Sequence, residues 1–130
     1  MGVTVLLDTH VLLWALVSPK LLSPKARRLL LDRSTTVLVS AASAWEIATK
    51  SRLGKLHDAA DVVTNFNDHL EVLRATELSI TSAHALLAGQ FDVAHRDPFD
   101  RMIAAQAVLE GVPVLTKDRA LGLFPCQRIW

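Results

Sequence analysis

The chain is poor in most residues that announce a function by themselves. Its 130 residues include one cysteine, Cys126. That excludes an internal disulfide and a zinc site built on cysteine, and it fits a reducing cytosol. The five histidines stand at positions 10, 57, 69, 84 and 95, without an H-x3-H or HExxH spacing. The five glycines form neither a phosphate-binding GxxxxGK loop nor a GxGxxG turn, and no GxSxG nucleophile elbow occurs. Long apolar runs are missing too. The longest, Val11 to Val17, is interrupted by Trp14 and closed by Ser18-Pro19, far short of the ~18 residues that suggest a membrane span. Met1 leads into a strand-like run without a basic leader segment, so a cytoplasmic location is expected. Charge of one sign is also scarce, with a net +1 and a pI of about 8.0. Any polyanion site must therefore be a local patch. Lys50, Arg52 and Lys55, the group Lys25, Arg27 and Arg28, and Arg96 with Arg101 could each supply one, though each also reads as a solvated face.

What the chain does have is apolar bulk. Hydrophobic residues make up 51%, and mean hydropathy is +0.31. A domain of this length buries roughly two-thirds of its unfolded surface, so residues 1–130 are expected to form one unit without staples. Runs 3–7, 36–39 and 112–116 read as strands, and Arg128 to Trp130 as an edge strand. Helices are expected over 9–17, from Ser23-Pro24 to about Asp32, over 41–53 with Gly54 as the stop, over Thr81 to Phe91, and from Asp97-Pro98 to Gly111. Val62, Val63, Phe66 and Leu70 give the stretch 57–72 a helical spacing. Helices alternating with short β-rich runs predict an α/β sandwich with a mainly parallel sheet.

Four acids recur near the ends of those strands: Asp8 in VTVLLDTH, Glu46 in SAASAWEIA, Asp100 in DPFDRMIAAQA and Asp118 in VPVLTKD. Each has a structural explanation. Asp8 can cap the helix from 9, and Asp118 a short helix from Arg119. Ser43-x-x-Glu46 fits a capping box, and Glu46 and Lys50 form a favourable i,i+4 pair. Asp97 as N-cap, Pro98 at the first helical position and Asp100 two further on make a reasonable helix start. Against that stands the topology. A parallel sheet collects its strand ends at one edge, where such folds bind ligands. Four carboxylates gathered there without sulfur ligands suit a hard divalent cation such as Mg²⁺. His10 and His95 lie near the acids in sequence and read as supporting or substrate-facing groups, or as ordinary polar residues.

Four segments together resemble the PIN-domain proteins, specifically the VapC-like toxins of toxin–antitoxin pairs. They are LLDTHVLLWAL at 6–16, VSAASAWEIATKSRLGKL at 39–56, HRDPFDRMIAAQA at 95–107 and VLTKD at 114–118. The resemblance implies a three-layer α/β/α fold and Mg²⁺- or Mn²⁺-dependent endoribonuclease activity. It implies Asp8, Glu46, Asp100 and Asp118 as metal-holding and catalytic positions, with Asp8 and Asp100 the chief ligands and Thr116 at a hydroxyl position near the fourth acid. It further implies an RNA substrate, a homodimer and inhibition by a cognate VapB-like antitoxin. Apart from the resemblance, Arg96, Arg101 or Lys50 could hold flanking phosphates as point or bidentate contacts. Phe91-Asp92-Val93-Ala94 departs from the Leu-Pro element that relatives often carry, and the tail after Asp118 is compact. Two alternatives stay open at this point: a metal-dependent nuclease or phosphoesterase with another substrate, and a PIN-like scaffold that binds protein and whose acids only cap helices.

Overall fold

The computed structural model describes residues 2–130, and its organising element is the strand β1, Thr4–Leu7. Alternation along this strand divides the core. Val5 and Leu7 join a cluster on one side, with Val11, Leu12, Val39 and Ile47, whereas Leu6 joins Ile103, Ala104, Ala107 and Phe124 on the other. Successive side chains of a strand point to opposite faces. A strand apolar at every position must therefore be covered on both sides. Val5, Leu6 and Leu7 are all fully buried, so three layers follow from three consecutive residues.

The sheet is parallel throughout, in the order β3-β2-β1-β4-β5. Here β2 is Thr36–Ser40, β3 Ala75–Leu78, β4 Val114–Leu115 and β5 Arg128–Ile129. The chain moves from β1 outward through β2 to β3, then returns to lay β4 on the other flank of β1. The order reverses between β1 and β4, and such a switch point opens a crevice at the carboxyl ends of the two strands.

The helices are α1 (Thr9–Val17), α2 (Pro24–Leu31), α3 (Ala41–Arg52), α4 (Ala60–Thr64), α5 (Phe66–Leu73), α6 (Ser82–Gln90) and α7 (Pro98–Glu110). Short 3-10 turns occupy Pro19–Leu21 and Arg119–Leu123. Ser23 caps α2 through Ala26 N, with Pro24 at its first position, as that dipeptide predicts. Gly54 and Gly111 follow α3 and α7 with φ of +72° and +67°, the left-handed backbone that ends a helix.

Four details differ from the sequence expectation. The stretch 57–72 is two helices, interrupted at Asn65, whose side chain donates to Asp61. Val63 of its apolar set is exposed. In α6 the buried residues are His84 and Ala88, while Leu86 faces solvent. The run 112–116 contributes only Val114–Leu115 to the ladder. Finally, β3 carries no β-rich signal, since ATEL is half exposed at the sheet edge and takes its conformation from pairing with β2.

Candidate metal centre

Asp8 stands one residue beyond β1, at the N-cap position of α1, but its carboxylate makes no capping bond. It accepts a hydrogen bond of 2.7 Å from Thr116 Oγ1 instead. Thr116 lies just past β4 and is fully buried, so this bond spans the switch point. The same hydroxyl accepts from Asp118 N at 2.9 Å. One side chain thus ties the first acid to the backbone of the fourth. Asp8 is 4% exposed, and burial raises its pKa against the lowering effect of the Thr116 bond. The charge of His10 lowers it, and those of Glu46 and Asp118 raise it.

Glu46 reaches the crevice from α3. Ser40, the last residue of β2, caps this helix by accepting from Ala42 N, so Ser43 lies at the third helical position and Glu46 lies within the helix. The capping-box reading of Ser43 and Glu46 therefore does not hold. Ser43 bonds the Thr9 hydroxyl at 2.9 Å instead, pinning the start of α3 to the start of α1. That contact ties the helix that follows Asp8 to the helix that carries Glu46. Glu46 is 3% exposed and ion-paired through Oε2 to Lys50, while its Oε1 is buried with no hydrogen-bond partner. Burial would lower the Lys50 pKa, but Glu46, Asp97 and Asp100 outweigh it and raise the value.

Asp100 comes from the first turn of α7. Asp97 caps that helix through Phe99 N and Asp100 N, as its position predicts. Asp100 is left free for other work. Its Oδ2 sits 2.7 Å from His95 Nε2. Burial pushes its carboxyl up to about 6; the His95 bond opposes this, and Asp97, Asp8 and Glu46 add to it. Asp118 differs from the other three. It is exposed, and its carboxylate caps the following 3-10 turn through Ala120 N.

Asp8, Glu46 and Asp100 thus feel one another's charge at the carboxyl edge of the sheet, and exposed Asp118 bears on Asp8. Among the described residues no three His, Cys, Asp or Glu side chains form a ready-made metal cage. An all-oxygen donor set still suits a hard cation, and Mg²⁺ keeps several waters rather than demanding a closed cage. The unpartnered Glu46 oxygen fits such an ion, because a buried carboxylate oxygen without a donor is costly.

Arg101 has a different task from the phosphate contact expected of it. Its guanidinium donates to the carbonyls of Ala88, Phe91, Val93 and His95, clamping the loop that presents His95. Arg96 remains exposed beside it. Sequence reasoning passed over Thr9 and Ser40, gave Ser43 a capping role it does not have, and left the role of His95 open. Small hydroxyl residues carry no signal until the fold brings them together, whereas His95 could be suspected from its place five residues before Asp100. A cavity of about 640 Å³ lies away from the acids and is lined by residues including Leu31, Arg33, Val72 and Arg74.

The PIN domain family matches residues 5–124. Ribonuclease VapC22 of Mycobacterium tuberculosis (strain ATCC 25618 / H37Rv) is 31% identical over 120 residues, covering 91% of this chain and 89% of that protein. Two solved structures are similar in fold. VapBC2 from Rickettsia felis, bound to a DNA fragment from their promoter, matches with a TM-score of 0.71 and 14% identity over 97% of both chains. FitAcB from Neisseria gonorrhoeae matches with a TM-score of 0.63 and 20% identity over 100% of this chain and 97% of that one. The crossing at β1 and β4, the acids at its mouth and a family match over most of the sequence agree: the chain belongs to the PIN-domain family, on its VapC-like side.

Proposed function

We propose that this protein is a Mg²⁺- or Mn²⁺-dependent endoribonuclease, the toxin of a toxin–antitoxin pair, with residues 1–130 acting as a single PIN domain. The reading is supported by the mutual electrostatic influence of Asp8, Glu46 and Asp100 at the sheet edge, with a buried Glu46 oxygen lacking any donor. The 31% identity to a protein named a ribonuclease supports the substrate class. Asp8 and Asp100 are the chief holders of the cation, with Glu46 and Asp118 completing the set. The cation, when bound, activates water and stabilises charge on the scissile phosphate. The chain's own residues set the stage. Thr116 and His95 orient the two principal carboxylates, and Lys50 keeps one Glu46 oxygen engaged while the other stays open. Arg96, exposed beside the site, takes a flanking phosphate as a bidentate contact.

A VapB-like antitoxin is the expected inhibitor, since structural relatives are described as VapBC and FitAcB. The active form is a homodimer working in the cytoplasm. No helix among the described residues is long and apolar enough to cross a membrane. The test is cleavage of RNA in Mg²⁺ by the wild type beside Asp8→Asn and Asp100→Asn. Cleavage should fall to background in both variants; equal cleavage by all three proteins overturns the assignment.

A further inference from the structure

Trp45 is 59% exposed, an unusual place for the largest side chain in a chain this apolar. It immediately precedes buried Glu46, and its ring meets Phe99, which immediately precedes Asp100. The two rings pack edge to face, with centroids 4.6 Å apart and planes at 75°. This contact joins α3 to the first turn of α7, the two helices that deliver Glu46 and Asp100. An edge contact holds the indole in one orientation while most of its surface stays open. Burial in the core does not account for Trp45, and the metal centre does not use it.

The surroundings indicate what would cover the ring. Trp45, Ala48 and Arg52 are all exposed and follow helical spacing along one stripe of α3. Seven residues of helix place Arg52 about 10 Å from Trp45 along the axis. Arg52 has no ion-pair partner among the described residues. Arg96 lies exposed in the loop just before α7. A fixed aromatic face, with one exposed guanidinium on its own helix and another in the loop before α7, matches the two requirements of single-stranded nucleic acid, a ring to stack a base and cations to track the backbone.

We propose that Trp45, held by Phe99, is the stacking platform for an unpaired base next to the scissile phosphate. The proposal rests on the ribonuclease reading above. Trp45 is a positioning residue in this scheme: it fixes the register of the strand over the acids and takes no part in bond breaking. Bases inside an A-form helix keep their faces stacked on one another, so a duplex offers this ring nothing.

The test uses the full chain and an unstructured, dye-labelled oligoribonucleotide in Mg²⁺. Binding is read by fluorescence anisotropy in the Asp100→Asn background, and KM and kcat in the otherwise wild-type protein. Trp45→Leu should weaken binding and raise KM by about tenfold or more, the usual scale for one lost base stack, with kcat little changed. Trp45→Phe, which keeps a ring, should recover most of the loss. An abasic nucleotide at the stacked position should weaken the wild type and leave Trp45→Leu unaffected. Unchanged KM and affinity in Trp45→Leu, beside active wild type, overturn the platform and leave the ribonuclease reading intact. A change of oligomeric state by light scattering with RNA binding unaltered also overturns it, assigning Trp45 to a protein interface. Failure of the wild type to bind or cleave any RNA overturns the ribonuclease reading and the platform with it.

Discussion

At the scale of single residues, a carboxylate can cap a helix and still face a cation, and hydrogen bonds show which acids cap. Asp97 and Asp118 cap, whereas Asp8 occupies a cap position without capping. Its partner Thr116 is the residue on which two acids depend. Thr116→Val keeps the shape and removes the hydroxyl. It should lower metal affinity about 10- to 100-fold, as loss of a supporting hydrogen bond typically does. Titration calorimetry with Mn²⁺ checks this. Asp100 supplies a pH prediction. Its folded pKa is raised to about 6, so its contribution to stability is present below the unfolded value and is lost as pH rises through about 6. At neutral pH the metal-free protein bears the cost of a buried charge. Asp100→Asn should therefore raise the metal-free melting temperature by about 3 °C at pH 7.5. That gain should vanish near pH 4, in melts recorded with chelator present.

At the scale of elements, the loop between α6 and α7 shows how a site is held from outside. Residues 91–95 carry little regular structure, yet they present His95 to Asp100. Arg101 makes this possible by reaching back from α7 to four carbonyls. A lysine has neither the fork nor enough donors to replace it. Arg101→Lys should cost about 2–3 kcal/mol, the upper range for a lost network, measured by urea denaturation. Amide exchange should quicken at residues 91–95. RNA cleavage should fall although every carboxylate remains. The sequence marks Arg101 only as a cation near an acid, because a clamp on carbonyls belongs to a loop path that local pattern cannot express.

At the scale of the whole molecule, the parallel sheet brings acids from distant segments to one edge, where the charge they share works against the fold. Asp8 and Asp100 are both buried enough to resist ionisation. A cation bound there must stabilise the entire domain by mass action, about 2.7 kcal/mol at a hundredfold excess over its Kd. Thermal melts should show a rise with Mg²⁺ or Mn²⁺ in the wild type and little or none in Asp8→Asn. No rise in the wild type at millimolar metal would instead favour a non-catalytic scaffold.

The apolar runs of β1 and β2, the starts of α2 and α7 at Ser23-Pro24 and Asp97-Pro98, and the stops of α3 and α7 at Gly54 and Gly111 determined by themselves that the chain is a parallel α/β sandwich with acids at its strand ends. Hydrophobic period, proline at a helix start and glycine after a helix end are local signals, readable wherever they occur. The strand β3, the Thr9–Ser43 and Thr116–Asp8 bonds and the Arg101 clamp were decided only by tertiary structure. Each depends on a partner far away in sequence or on backbone pairing indifferent to side-chain type. Residue spacing could point to four acids; only the folded chain could show that Asp118 is exposed and that Glu46 keeps one oxygen open.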